Sequence, residues 1–328
     1  MGALPHPGLS LAYPALDRDG QSRSHPDLFD ELWSDESTRI LPLWQGRALL
    51  RDGEAASDGD GALGDNLRLD LRRVDDVTSA LTRVYLGRTR GVPGDEPAGA
   101  PIVVSTLTDA AARELEPDES RWAGLRDAAP RLSARDAGIF VEALAIVNWH
   151  IANTHCSRCG MPTVVEQGGW VRRCFQDDAL HFPRTDAAVI VAVTDDDDRL
   201  LLGSNLMWES DRFSLLAGFV EPGESFEAAA VREIGEEAGI RLTDVAYEAS
   251  QPWPFPASIM VGMHASLASG QTDADLRPDG EEIRELRFFS RADLWAARES
   301  VRLPGTASIA HALIEGWYGG PLDAPPAP

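Results

Sequence analysis

Residues 218–240 read GFVEPGESFEAAAVREIGEEAGI, and this stretch decides the fold of the chain around it. Its glycines and Ser225 predict a loop. The run from Phe226 to Ala238 is rich in Ala, Val, Ile and Glu, which are compatible with a helix. Gly239 is a residue type that commonly ends one. The stretch therefore predicts a strand, a turn and a helix that ends at Gly239.

The predicted helix carries a cluster of carboxylates. Glu233 and Glu237 are four residues apart and share one face, and Glu236 lies beside that face. Like charges this close repel one another, so a helix keeps them mainly where divalent cations neutralise them. Oxygen ligands favour a hard ion such as Mg²⁺ or Mn²⁺. The alternative is an Ala- and Glu-rich surface helix.

The composition excludes several classes of function. The 328 residues are enough for two or three domains, and the net charge of -23 disfavours long phosphate backbones and anionic membranes as partners. All 30 basic residues are Arg. Without lysine the chain has neither a Walker-type phosphate loop nor Schiff-base chemistry.

Targeting signals are not evident in the sequence. Residues 1–13 lack a basic start followed by an apolar core, and no run approaches 18 apolar residues. We therefore expect a cytoplasmic protein with no membrane partner. The three cysteines include one Cys-x-x-Cys pair, which indicates a metal or free thiols rather than a disulfide framework.

The pattern along the chain predicts an α+β protein in four segments. Residues 1–132 form an N-terminal α+β domain. Residues 133–185 hold a linking helix, which Ser133 caps and which runs to about Ala152, and the cysteine cluster. Residues 186–320 form a domain of strands and helices around the opening stretch, and residues 321–328 form a disordered, proline-rich tail.

Residues 250–258 read SQPWPFPAS. Three prolines alternate with two aromatic residues, which predicts a stiff extended wall rather than a strand partner, because proline removes backbone donors. Such a wall suits a flat ring. The alternative is a loop that packs its aromatic rings into the core.

These two motifs resemble a known family. Residues 218–240 match the Nudix box at every specified position, and residues 250–258 resemble the SQPWPFPxS signature of the NADH pyrophosphatase branch, which also removes NAD caps from RNA. The resemblance implies a C-terminal Nudix α/β/α sandwich with a mixed sheet, a zinc-ribbon-like insert and an N-terminal α+β domain. It also implies a homodimer with shared active sites. The implied reaction is cleavage of the diphosphate of NADH or NAD⁺ into (reduced) nicotinamide mononucleotide and AMP, or release of nicotinamide mononucleotide from a capped RNA 5′ end.

The resemblance also implies roles for individual residues. It makes Ala217, Glu233 and Glu237 metal ligands, and Glu282 supplies a further carboxylate unless residues 279–285 are only a solvated acidic loop. Arg232 orients the carboxylates. We expect two or three Mg²⁺ or Mn²⁺ ions held by Glu233, Glu236, Glu237 and Glu282, with Glu237 as general base, although Nudix enzymes differ in which carboxylate serves.

Further residues are implied to bind the substrate. The nucleotide-binding wall comprises Gln251, Pro252, Trp253, Pro254, Phe255, Pro256, Ala257 and Ser258. Phe219 would stack on a base or nicotinamide ring, and Phe182 of the other subunit takes the place of a family Tyr across that ring. Ser308 aligns with a position whose backbone touches substrate, and Arg126 matches a substrate-contacting Arg of the N-terminal domain.

The cysteine cluster departs from the family pattern. Cys156, Cys159 and Cys174 match three cysteines of a four-cysteine zinc ribbon, and Asp177 stands at the fourth position. Zinc accepts carboxylate oxygens, so a structural Cys₃Asp site is chemically possible, with Asp178 or His181 as substitutes. The alternative is a degenerate ribbon that folds without metal.

Other functions compete with this interpretation. Within enzymes, the chain could be another dinucleotide or ADP-sugar pyrophosphatase. In a different class, it could be a nucleotide-sensing or nucleic-acid-binding protein in which the ribbon is the active part. The sequence does not choose between free NADH and NAD-capped RNA.

Overall fold

The structure is a computed structural model that describes residues 9–53, 67–90 and 96–326. The chain divides into two compact units. The N-terminal unit comprises Ser10–Thr185 together with the short segment Trp253–Ala257, and the C-terminal unit contains Asp186–Pro252 and the chain from Ser258 onward.

In its described residues, the N-terminal unit contains two sheets and four α-helices. Its strands are β1 (Leu16–Asp17), β2 (Arg39–Trp44), β3 (Arg47–Asp52), β4 (Leu67–Leu69), β5 (Thr82–Thr89), β6 (Pro101–Thr106), β7 (Trp122–Gly124), β8 (Val164–Glu166), β9 (Val171–Arg173) and β10 (Leu180–His181). Its helices are α1 (Leu28–Ser34), α2 (Asp109–Leu115), α3 (Leu125–Ala128) and α4 (Ala134–Ala152). The larger sheet has the order β1-β5-β6-β2-β3-β4 with β7 against β3, and the smaller one has the order β10-β9-β8. Short 3₁₀ turns cover Ser10–Ala12, Ser22–Ser24, Val74–Asp76, Glu119–Arg121, Ala129–Arg131 and Gln167–Gly169.

Helix α4 has the bounds that the sequence predicts. The Ser133 side chain accepts a hydrogen bond from the Asp136 backbone amide and so caps the first turn. Most of its residues are buried, including the ionisable Glu142 and His150, so the helix is enclosed and not amphipathic.

The C-terminal unit holds the opening stretch of the sequence analysis. Its strands are β11 (Asp186–Thr194), β12 (Leu200–Asn205), β13 (Leu216–Phe219), β14 (Leu242–Trp253), β15 (Ser258–Leu267) and β16 (Ile283–Phe289), and its helices are α5 (Phe226–Ala238), α6 (Arg291–Ala296) and α7 (Ile309–Tyr318), with one 3₁₀ turn at Asp273–Asp275. The sheet has the order β14-β15-β11-β12-β16, and β13 also pairs with β11. It is mixed, because β11 is parallel to β15 and antiparallel to β12 and β13.

Helices cover both faces of this sheet. Alternate residues of a strand point to opposite faces, and Val189 and Val261 pack in one core with Ile234 of α5. Gly262, of the opposite parity, faces Ile309 of α7, whose side chain lies 2.9 Å from where a Gly262 Cβ would stand. The predicted Nudix α/β/α sandwich with a mixed sheet is confirmed.

The box helix α5 begins and ends as its sequence predicts. The Ser225 hydroxyl accepts a hydrogen bond from the Ala228 amide at 3.2 Å, which caps the first turn. Gly239 ends the helix in the left-handed conformation, with a φ of 71°.

Two expectations differ from the structure. Ser250–Trp253 continue β14, so the prediction that this part of the motif is not a strand partner is wrong; β14 is an edge strand, where a proline without an N–H is tolerated. The proline-rich tail was expected to be disordered, yet its described part forms a turn. The Ala324 carbonyl accepts from the Tyr318 hydroxyl, and the Leu322 amide donates to Glu315. Residues 327–328 lie outside the described residues.

Among the described helices, none is both long and apolar enough to cross a membrane. The longest, α4, has 19 residues and carries several charged groups.

Candidate active site

Arg232 organises the Nudix box. Its guanidinium donates to both carboxylate oxygens of Glu224, at 2.7 and 2.9 Å, and at 2.9 Å to the carboxylates of Glu233 and Glu236 and to the Phe219 carbonyl. One side chain therefore ties the loop to the helix. The hydrogen bonds from Arg232 lower the pKa of Glu224 to about 2, so this carboxylate stays ionised.

Glu237 takes no part in this network and has no positive partner among the described residues. Its side chain is only 6% exposed, and its Oε2 atom is buried without a hydrogen bond. Burial, and then the charges of Glu233 and Glu282, raise the pKa of Glu237 to about 8. A buried carboxylate oxygen with no donor is the arrangement expected of a ligand for a hard cation.

Glu233 lies against the backbone of strand β13. A Cβ on Gly218 would stand 1.9 Å from the Glu233 carboxyl carbon, so only glycine leaves space for this carboxylate. Burial raises the pKa of Glu233. Ala217, the neighbouring residue implied as a metal ligand, is exposed on β13 and pairs with Ile190 of β11.

Glu282 is held by a turn that Asp279 builds. The Asp279 Oδ1 atom accepts the backbone amides of Glu281 and Glu282 at 3.1 Å and of Ile283 at 2.8 Å. These amide bonds offset burial and lower the pKa of Asp279. The charge of Glu282 contributes, after burial, to the raised pKa of both Glu233 and Glu237.

The segment 250–258 divides between the two units. Gln251 is fully buried, where its amide donates to the Ala307 carbonyl at 2.9 Å and accepts the Ile309 amide at 2.8 Å. It therefore fastens β14 to the start of α7 and is not an exposed wall residue. Ser308 caps α7 through a bond from the His311 amide.

The aromatic residues of the segment belong to the N-terminal unit and pack within it. Trp253 and Phe255 meet edge to face with ring centroids 5.0 Å apart. The Arg126 guanidinium lies 4.2 Å from the Phe255 ring centroid and 5.5 Å from that of Trp253. The two rings are half-buried. The sequence pattern predicted an exposed wall or a loop packed into the core, and each alternative describes part of the segment.

The two phenylalanines implied to sandwich a ring are both exposed. Phe219, in the C-terminal unit, is 58% exposed, and Phe182, in the N-terminal unit, is 62% exposed. Large apolar side chains of this exposure are available for stacking.

The cysteine cluster has the donor set of a zinc site. One ligand atom each from Cys156, Cys159, Cys174 and Asp177 lies within 4.8 Å of the others, and no other group of three or more Cys, His, Asp or Glu in the described part of the chain is as tight. The Ala179 amide donates to Asp177 and lowers its pKa, so the carboxylate is ionised. The substitutes Asp178 and His181 are not in the cluster; Asp178 instead pairs with Arg173.

A buried polar network ties this ribbon to α4. The His150 ring donates from Nε2 to the Gly169 carbonyl at 2.8 Å and accepts at Nδ1 from Arg172 at 3.0 Å. Arg172 also donates to the Thr163 hydroxyl at 2.7 Å. Burial lowers the pKa of His150 to about 4, so the ring is neutral. The ribbon is thus anchored by hydrogen bonds as well as by its ligand cluster.

Sequence reasoning missed several contributors to the site. The sequence pattern placed Gly218 in a loop and did not predict that Glu233 packs against it. It gave Glu224 no role beyond membership of the motif. The signal for Asp279 was present, since Asp-Gly predicts a turn with side-chain to backbone bonds. Asn148, whose amide bonds the proline-rich segment from α4, gave no local signal.

Comparison with protein families matches three consecutive parts of the chain. Residues 37–149 match the NADH pyrophosphatase-like rudimentary NUDIX domain, residues 152–182 match the NADH pyrophosphatase zinc ribbon domain, and residues 183–308 match the NUDIX domain. Together with the ligand cluster, the ribbon match confirms the predicted structural zinc, and the NUDIX match supports Mg²⁺ or Mn²⁺.

Similar curated proteins are NAD-capped RNA hydrolases. NudC of Mycobacterium bovis is 42% identical over 186 residues, which are 54% of this chain and 58% of that protein. Human NUDT12 is 34% identical over 201 residues, which are 57% of this chain and 43% of that protein. The chain thus spans about half the length of these relatives.

Among solved structures, a NUDIX hydrolase from Nitrosomonas europaea aligns with a TM-score of 0.39 and 21% identity, covering 51% of this chain and 94% of that one. A MutT/nudix family protein from Enterococcus faecalis aligns with a TM-score of 0.29 and 20% identity, covering 35% and 47%.

Gly218→Ala should weaken cation binding without unfolding the protein. The added methyl would displace the Glu233 carboxylate, so we expect Mn²⁺ affinity, measured by isothermal titration calorimetry, to fall roughly 10- to 100-fold. Gly305→Ala is the matched control, since its Cβ would meet nothing within 4 Å. Equal Mn²⁺ affinity in the two variants would contradict this account of Gly218.

Asp177→Cys should tighten the zinc site. A fourth thiolate suits zinc better than a carboxylate, so we expect about tenfold slower loss of zinc to a chelator, followed by mass spectrometric metal analysis. Asp178→Cys adds a thiol one residue away and should leave zinc loss unchanged. If both variants lose zinc at the wild-type rate, Asp177 is not a ligand.

Proposed function

We propose that this chain, which belongs to the NADH pyrophosphatase branch of the Nudix family, hydrolyses the diphosphate of NADH or NAD⁺ and of NAD-capped RNA. Water attacks one phosphorus and the anhydride P–O bond breaks. The products are AMP and (reduced) nicotinamide mononucleotide, or, from RNA, nicotinamide mononucleotide and a 5′-monophosphate end.

The observation that carries this proposal is the buried, unpartnered Oε2 atom of Glu237 beside the charges of Glu233 and Glu282. Acidic groups in this arrangement repel one another unless cations lie among them. The complete SQPWPFPAS segment, and the NAD-capped RNA hydrolases among the similar proteins, support a dinucleotide over other diphosphates.

The protein's own residues have distinct parts in this reaction. Glu233, Glu236, Glu237 and Glu282 would hold Mg²⁺ or Mn²⁺, which neutralises diphosphate charge and acidifies water when bound. Arg232 fixes the Glu233 and Glu236 carboxylates through its hydrogen bonds. Glu237 serves as the general base that accepts the proton of the attacking water.

The exposed rings of Phe219 and Phe182 would stack on the substrate, and we propose that two copies of the chain complete the site, with Phe182 supplied by the partner copy. The exposure of both rings is consistent with this arrangement. The strongly acidic surface favours contact with an RNA chiefly at its 5′ end. A cytoplasmic location would bring the enzyme to both substrates.

Product analysis tests the proposal. With Mn²⁺ and NADH, chromatography should show AMP and reduced nicotinamide mononucleotide in equal amounts. With NAD-capped RNA, a 5′-monophosphate end should appear. ADP-ribose and diadenosine diphosphate serve as comparison substrates. Cleavage of ADP-ribose with NADH left intact would assign the chain to another Nudix activity.

Glu237→Gln should remove turnover while leaving nucleotide binding nearly intact. The amide keeps the shape of the side chain but cannot accept a proton, so we expect kcat to fall about 10²- to 10⁴-fold. The measurement is steady-state hydrolysis of NADH at saturating Mn²⁺, with Glu227→Gln on the exposed first turn of α5 as the control. A loss below tenfold would reassign the general base.

A further inference from the structure

We propose that Asn148 is a positioning residue for nucleotide recognition, which holds the proline-rich segment in place from helix α4 of the N-terminal unit. The proposal rests on the proposed function for its substrate. It gives the N-terminal unit a part in the reaction, because α4 and residues 253–257 both belong to that unit.

The Asn148 side chain bonds two carbonyls of the segment at once. Its Nδ2 atom donates at 3.0 Å to the Pro254 carbonyl and at 3.0 Å to the Pro256 carbonyl. Both partners are acceptors only, so the nitrogen and not the oxygen of the amide must face them. Both protons of one NH₂ group therefore form hydrogen bonds, and these bonds hold the turn on each side of Phe255.

This segment depends on donors from elsewhere. Pro254 and Pro256 have no N–H, and the Phe255 amide is already bonded to the Trp253 carbonyl at 2.7 Å. Within the turn, no other backbone hydrogen bond among the described residues engages the Pro254 and Pro256 carbonyls. Asn148 satisfies both, and one side chain thus sets the backbone on either side of the Phe255 ring.

The neighbouring contacts indicate that Asn148 fixes the orientation of the Phe255 ring. Arg126 covers the Phe255 ring at 4.2 Å, and Phe255 in turn meets Trp253 edge to face. A cavity of about 460 Å³ opens beside them, lined in part by Leu144 and Asn148. Leu144 and Asn148 are four residues apart and share one face of α4. Loss of the Asn148 bonds would let the turn and its rings move into this space.

The effect should fall on substrate binding more than on chemistry. The cation-binding carboxylates lie in the C-terminal unit and make none of their hydrogen bonds to Asn148. Removing two hydrogen bonds to the wall should raise the KM for NADH about tenfold, with kcat changed less than threefold.

The test compares Asn148→Asp with Asn153→Asp. Aspartate at 148 keeps the shape of asparagine but presents acceptors to two carbonyls. Asn153 lies just past the end of the same helix and bonds only the Trp149 carbonyl with its side chain, so its variant controls for the added charge. Asn148→Ser, which retains one donor, should give an intermediate effect and remains informative if the aspartate variant folds poorly.

Two measurements keep the outcomes separate. Hydrogen exchange of the peptide spanning residues 250–258, in protein without substrate, should be faster in Asn148→Asp and unchanged in Asn153→Asp. NADH kinetics should show the KM increase. Unchanged exchange in Asn148→Asp and Asn148→Ser overturns the positioning role, and faster exchange with an unchanged KM overturns its link to recognition. Failure of the wild-type protein to cleave NADH would instead overturn the proposed function and leave the exchange result standing.

Discussion

The geometry of the C-terminal unit depends on a single guanidinium. Arg232 bonds the end of β13 at Phe219, the loop at Glu224 and the helix at Glu233 and Glu236, so these three parts are held together. It bonds three carboxylates of the box, those of Glu224, Glu233 and Glu236, and leaves Glu237 unpartnered. Charge is thereby divided between an ion-pair network that orders the loop and a buried acidic site that can receive cations.

Much of this arrangement could be predicted because it is local. The Ser225 cap, the left-handed Gly239 and the four-residue spacing of Glu233 and Glu237 depend on neighbours in sequence. The cysteine cluster could also be predicted from the sequence, because few residue types bind zinc and three of the four residues here are cysteines. Asp177 closes the cluster at the position where the resemblance implies a fourth cysteine.

The remaining features depend on contacts between distant parts of the chain. Gly218 is required by the Glu233 carboxylate, fifteen residues later on another element, and no sequence pattern marks this approach. The prolines in residues 250–258 correctly predicted that this segment has few backbone N–H donors. They did not predict which side chains bond it. Two amide side chains compensate: Gln251 bonds the start of α7, and Asn148 bonds the turn from a helix more than a hundred residues earlier. The edge position of β14 explains why its proline does not break the strand.

The discontinuity of the N-terminal unit has a consequence for how such a protein can be shortened or recombined. The five residues Trp253–Ala257, which are the last residue of β14 and the turn before β15, interrupt the sequence of one unit and yet belong to the other. A fragment beginning at Asp186 would retain the whole Nudix box but would leave these five residues without Arg126 and Asn148. No single cut in the chain separates the two units, so truncation at residue 186 would give a C-terminal fragment in which residues 253–257 lack the contacts that support them.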